Sequence, residues 1–143
     1  MSLSSFSYHC ISNNPHLRGR VAHLELIDGN ALDVLTASRD RIHCGWRLAS
    51  SPFYGNFKPD QQPYRTIVLY EDRAADIASV DLESLRLIED AMASYGNSRA
   101  LRLPDDFPKR IDMDFRFVDF ALMEDTFREC GILDSPAERV LGR

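Results

Sequence analysis

Cysteine is scarce in this sequence, and the three residues present, Cys10, Cys44 and Cys130, are widely spaced and odd in number. They form neither a disulfide framework nor a zinc pattern, so a reducing cytosol is the simplest setting. Long apolar runs are also lacking. No stretch reaches the length that spans a bilayer, and the opening MSLSSFSYHC has neither the cationic start nor the apolar core of a signal peptide. Basic charge is in deficit, with 17 Lys and Arg against 22 Asp and Glu for a formal net charge of -5. That balance argues against a general nucleic-acid binder, which needs a basic stripe to neutralise phosphates. The sequence contains no G-x-x-x-x-G-K phosphate loop, no G-x-G-x-x-G fingerprint and no G-x-S-x-G elbow, and no cofactor is expected.

With 143 residues, 44% hydrophobic and 27% charged, the chain is long enough for one domain with one core and no need of disulfides or metal. Residues 1–6 and 132–143 read as mobile tails. Tyr8 to Ser12 is rich in strand-formers and stops at Asn13-Asn14-Pro15. Arg20 to Ile27 reads as a second strand closed by the turn signal Asp28-Gly29. Asn30 is a helix N-cap, with Asp33 three residues on. Ala31, Leu35, Ser38 and Ile42 follow at helical spacing, and Gly45 ends the helix. Thr66 to Tyr70 is an apolar, β-branched run of the kind covered on both faces. Asp81 caps a further helix whose buried face is read as Leu82, Leu85, Ile88, Met92 and Tyr95. Ile111 to Phe117 alternates strictly and reads as a strand, followed by a helical period from Phe120 to Gly131; one long helix from Asp114 is the rival reading. The pattern predicts an α/β fold, a single-domain sandwich of a small, largely parallel or mixed sheet with flanking helices.

The densest stretch is Ile42 to Arg65, between a helix and a strand. It holds the only Trp, and from Arg39 to Arg65 there are Arg39, Arg41, Arg47, Lys58 and Arg65 against Asp40 and Asp60. A loop so long and so aromatic reads as an ordered binding loop. In open α/β sheets ligands collect beyond the carboxyl ends of the strands, where Asn13 and Asn14 would leave the sheet. Asn13, Asn14, His43, Arg47, Lys58, Tyr64 and Arg65 are therefore the candidate ligand-binding residues, with the cations suited to carboxylate or phosphate. Turn chemistry alone also explains Asn13 and Asn14.

Adjacent His43 and Cys44 do not make a convincing dyad. Neighbours on a helix diverge by roughly 100°, and a helix C-terminus disfavours a thiolate while favouring a protonated His. His43 remains the one candidate general acid or base, and the chain leans away from being an enzyme. Asp112 and Asp114, on one strand face, lack the further ligands a hard cation needs. No two His show metal-ligand spacing, so no metal site is expected.

The segments ISNNP, LDVLTASRDRIHCGWRLASSPFYGNFKPDQQPYRTIVLY, LESLRLIEDAM and DFRFVDFALME, taken in order, resemble the GrdX family. The most specific part is R-D-x-I-H-x-G-x-R-L, then P-x-x-G-x-x-K-P and P-Y-[KR]. It is matched by Arg39, Asp40, Ile42, His43, Gly45, Arg47, Leu48, Pro52, Gly55, Lys58, Pro59, Pro63, Tyr64 and Arg65. These small proteins are named for genes beside glycine, sarcosine and betaine reductase components. The resemblance thus implies an accessory or interaction role in those systems. It also implies further His at positions held here by Trp46 and Ser51, which favours binding over catalysis. Three readings follow: a noncatalytic accessory protein, a small-anion binder using the 42–65 loop, and an enzyme using His43. The expected partner is a protein or a small anion, with neither nucleic acid nor membrane, and exposed strand edges allow a homodimer.

Overall fold

In the computed structural model, which describes residues 5–55, 61–74, 79–96 and 103–134, the sheet forms around β4 (Thr66–Asp72). Its apolar half is buried on both faces, as the β-branched run predicts. Along its whole length β4 pairs antiparallel with β1 (Phe6–Ser12), from Phe6 opposite Asp72 to Ser12 opposite Thr66. β1 in turn pairs parallel with the short β2 (Leu24–Leu26), and β4 pairs antiparallel with β3 (Arg47–Leu48) inside the central loop. The strand order is β2-β1-β4-β3. Both edges are only three and two residues long, which leaves little ladder for another chain to extend.

Alternation along the strands sends Ile11, Ile67 and Leu69 to one face, under α1 (Ala31–His43) and α2 (Leu82–Gly96). Cys10 and Val68 face the other way, onto Met123 and Phe127 of α3 (Lys109–Glu129). The result is a single-domain α/β sandwich with a mixed four-stranded sheet, as predicted. Among the described residues no helix is long and apolar enough to cross a membrane.

α1 begins with a reciprocal capping box, in which Asp33 N donates to Asn30 Oδ1 at 2.9 Å and Asn30 N to Asp33 Oδ2 at 2.8 Å. Its buried stripe includes Ala31, Leu35, Ser38 and Ile42, and Gly45 leaves the helix at φ 103°. α2 starts where Asp81 Oδ2 accepts from both Ser84 N and Ser84 Oγ, at 3.1 and 2.7 Å. Its buried face differs from the expected one. Leu82 is 75% exposed, and the inward line is Ser84, Ile88, Ala91 and Tyr95. Ser84 belongs inside because its hydroxyl also accepts from Leu48 N at 3.0 Å, tying the helix to β3.

The expected strand over Ile111 to Phe117 is overturned, since this segment is the first third of α3. Alternation put the apolar residues in register for a strand, but Asp112, Arg116 and Asp119 are also spaced by four and three. Each finds a partner on the sheet side, so polar bonds rather than apolar burial fix this face. No Gly or Pro interrupts residues 109–129. The second strand is also shorter than expected. The chain turns through Leu17 to Val21, and His23 takes φ 57°, so pairing begins at Leu24. The expected tail from residue 132 is docked as far as Asp134. Ile132 is buried, Ala22 N donates to Ile132 O at 2.8 Å, and Val21 bridges Leu133. Residues 1–4 and 135–143 lie outside the described residues.

Candidate functional site

Because β1 and β2 run parallel, both leave the sheet at the same end. The segments that follow them, Tyr64 in the loop before β4, the turn at Pro104–Asp106 and Arg116 of α3 bound a cleft of about 650 Å³. Its polar lining is Asn13, Arg18, Asp28, Tyr64, Asp105 and Arg116. That volume suits a small molecule, and the place is where open α/β sheets bind ligands.

Several of these groups are committed to the fold. Asn13 Nδ2 donates to Gly29 O at 3.1 Å and Pro63 O at 2.9 Å, and its Oδ1 accepts from Arg65 N at 2.9 Å. Asn14 Nδ2 donates to Arg116 O and Asp119 Oδ2 at 2.9 and 3.0 Å, while its Oδ1 accepts from His16 N at 3.0 Å. Both Asn are buried: Asn13 joins the exit of β1 to two loops, and Asn14 caps the Pro15–Leu17 turn and also ties it to α3, which is more than the turn reading alone expects. Tyr64 OH donates to Asp112 Oδ1 and accepts from Arg116 Nε at 3.0 Å, and Arg116 Nη2 pairs with Asp112 Oδ2 at 2.9 Å. Burial, then the bond to Asp112, pushes the Tyr64 phenol further above its ordinary range, so it stays protonated at neutral pH and is no base. Among the described residues neither a hydrogen bond nor an ion pair engages the side chains of Arg18, Asp28 or Asp105. The cleft therefore presents free charge of both signs beside a Tyr–Asp–Arg cluster.

Arg65 follows Tyr64 and points to the opposite face. It is 3% exposed, its Nη1 donates to the carbonyls of Pro52 and Tyr54 at 3.3 and 3.2 Å, and its guanidinium lies 4.4 Å from the Tyr54 ring centroid. Behind Tyr54 stands Asp119, fully buried. It accepts from Tyr54 OH and Thr66 Oγ1, each at 2.7 Å, as well as from Asn14.

The sequence-predicted set thus divides. Asn13, Asn14, Tyr64 and Arg65 gather at one end of the sheet, Tyr64 and Arg65 on opposite faces. His43 is exposed at the end of α1 and does not line this cleft, and among the described residues no hydrogen bond or ion pair joins it to a carboxylate of the kind that partners a general base. Arg47 is exposed opposite Tyr70, five strand positions from Arg65 or about 17 Å at the usual rise per residue. Lys58 lies outside the described residues. Sequence reasoning missed Arg18, Arg116 and Asp119. For the two α3 residues the signal was present in the Asp112, Arg116, Asp119 spacing, which a strand reading conceals.

Fold and cleft together define a small α/β protein with an open polar cleft at the carboxyl ends of its parallel strands. The Cys10 thiol is buried and pushed well up, and among the described residues no activated nucleophile lines the cleft. Over residues 9–128 the chain matches the family described as GrdX-like protein, and it belongs to that family. Neither a curated protein nor a solved structure matches it.

Proposed function

We propose that the chain is a noncatalytic accessory protein that binds a small carboxylate, either a simple anion or an amino-acid zwitterion, in the cleft between β1, β2 and α3. The observation that carries this reading is Arg18 on the same cleft as Asp28 and Asp105, all three without a side-chain partner among the described residues. Arg18 suits a carboxylate, and the acidic side chains suit an ammonium group. The family resemblance supports service to glycine, sarcosine and betaine reductase systems, whose substrates are small carboxylates bearing a cationic nitrogen.

The test is thermal unfolding of the wild type and Arg18→Ala against glycine, sarcosine, betaine, simple carboxylates and phosphate esters. Ligand at about a hundredfold over its dissociation constant adds about 2.7 kcal/mol to the folded state. For a chain of this size the midpoint then rises by several degrees. A rise in the wild type that is lost in Arg18→Ala supports the reading, and no rise with any member of the panel overturns it.

An exposed apolar feature favours a second reading, in which the accessory role is carried by a protein contact. Met113 and Phe117, one turn apart on α3, are 47% and 62% exposed. A second copy of the chain is one partner for this face. Sedimentation equilibrium of wild type against Phe117→Asp decides it: a concentration-dependent dimer abolished by the substitution supports self-association, and a monomer in both removes it.

A further inference from the structure

Two apolar side chains on the cleft are left over from the fold. Leu26 lies level with Ser12 of β1, on the face of the sheet where Ser12 meets Thr66 and, through it, Asp119 of α3. Leu103 precedes the Pro104–Asp106 turn and is 46% exposed. Among the described residues neither belongs to, or packs against, the two buried apolar clusters that join the sheet to its helices. An exposed leucine by itself is ordinary. Here two of them, from segments far apart in the chain, meet on one cleft with Pro15 and Pro104, and the same cleft carries Arg18. The turn is also braced. Leu103 N donates to Asp106 Oδ2 at 2.8 Å, and Asp106 N donates back to Leu103 O at 3.0 Å. Asp106 is thereby spent on the turn, and the side chains left for the cleft are those of Leu103, Pro104 and Asp105.

We propose that this cleft selects amphiphilic carboxylates over compact ones: Arg18 takes the carboxylate, and an aliphatic chain of several carbons covers Leu26, Leu103 and the two prolines. The inference rests on the reading of the cleft as a carboxylate site and narrows its ligand class. The cleft volume of about 650 Å³ corresponds to roughly twenty waters of liquid. Glycine or acetate displaces only a few of these and leaves the apolar wall wet. A chain as long as that of leucine reaches the wall and removes it from water, and each methylene so covered tightens binding about fourfold. The cleft is half open to solvent, so cover is partial. Half of the four carbons of a leucine side chain still gives about tenfold or more. Arg18 cannot supply this discrimination, because the carboxylate it meets is common to every member of the class. Asp28 and Asp105 add a preference for a ligand that also carries an ammonium group, which an amino acid with an aliphatic side chain does.

The experiment is calorimetric titration of acetate, glycine, 4-methylpentanoate and leucine into wild type, Leu103→Ser and Arg18→Ala. The bonds between Leu103 and Asp106 run through the Leu103 backbone, so Leu103→Ser keeps the turn. The inference is supported when each longer ligand binds wild type at least tenfold more tightly than its compact counterpart, when Leu103→Ser cuts that advantage at least threefold, and when Arg18→Ala weakens all binding. Leucine ahead of 4-methylpentanoate then assigns the ligand to the amino acids, and the reverse order to simple acids. Compact ligands that bind as tightly as the longer ones overturn the inference and leave the cleft reading standing. An advantage that survives Leu103→Ser undiminished places the aliphatic chain elsewhere and overturns it as well. No binding by any of the four removes the cleft reading, and this inference with it.

Discussion

Tyr54 donates its hydroxyl proton to Asp119 at 2.7 Å, and so joins the loop before β4 to the middle of α3. The same oxygen accepts from Thr66 N at 2.5 Å, so one phenol satisfies the first amide of β4 and a buried carboxylate together. Burial, then the charge of Asp119, pushes the Tyr54 phenol well above its ordinary range, which keeps the proton needed for this bond in place. Thr66 Oγ1 and Asn14 Nδ2 complete the ring of donors around Asp119. Replacing the carboxylate strands three donors in the interior. Asp119→Ala is expected to cost about 3–5 kcal/mol, the range for breaking a buried charged network. Tyr54→Phe, which removes one donor and leaves Thr66 N unpaired, should cost about 1–3 kcal/mol. Chemical denaturation of both variants checks this, and an Asp119→Ala penalty below that of Tyr54→Phe would show that the network is not the clasp between α3 and the sheet.

The register of α2 makes a second prediction. Ile88 is fully buried against the α1 side of the sheet, whereas Leu82 is 75% exposed in the first turn. Ile88→Ala should cost about 2–5 kcal/mol through lost burial and the cavity left behind. Leu82→Ala should fall within about 0.5 kcal/mol of wild type. Comparable losses in urea unfolding would mean that the helix is rotated toward the face its hydrophobic spacing first suggests.

Much of this fold is legible in local chemistry. Asn30 with Asp33, Asp81 with Ser84 and the β-branched run at Thr66 act through neighbours in sequence, and they place α1, the start of α2 and β4. What sequence patterns miss depends on partners far along the chain. Asp112 and Asp119 look like solvent residues until Tyr64 and Thr66, roughly fifty positions away, supply their bonds. Arg65 reads as a free loop cation, yet it is buried beneath two tyrosine rings. His43 and Arg47 were grouped with it because they are close in sequence, and the turn between α1 and β3 sends them elsewhere. A ligand crevice was expected at the strand ends, but Arg18, without a side-chain partner among the described residues, gives no signal beyond its charge.

This separation is itself testable through binding. Arg18 lines the cleft with no partner among the described residues, whereas His43 and Arg47 are exposed away from it. Arg18→Ala should leave stability within about 0.5 kcal/mol of wild type. It should also weaken carboxylate binding tenfold or more, since a direct charge-assisted hydrogen bond contributes about 1.5–3 kcal/mol. His43→Ala and Arg47→Ala should change neither quantity. Calorimetric titration with the best ligand of the thermal panel measures all three variants, and a large effect at Arg47 with none at Arg18 would move the site to the β3 edge.

The last prediction concerns pH. His16 follows the Asn14-capped turn and packs edge-on against Phe117 and Phe120, with centroids 6.1 and 5.5 Å away. Burial, then the charges of Arg20 and Arg116, lowers its pKa below the ordinary value near 6.5. The unfolded chain therefore takes up a proton before the folded chain does as pH falls, and between the two pKa values the unfolded state holds more protons. Stability is accordingly complete above about pH 6.5 and declines as pH falls through that value toward the folded pKa. Glu25 acts in a different window. Its carboxyl is lowered by the hydrogen bond from His9, so its contribution is present above about pH 4.5 and is lost only below it. Thermal midpoints of wild type should therefore fall between pH 7.5 and 5.5. In His16→Gln that portion of the slope should flatten, while the steeper loss in the carboxylate range persists in both proteins. Parallel curves for wild type and His16→Gln from pH 7.5 to 5.5 would mean that His16 takes its proton as readily folded as unfolded, and that α3 does not bury it.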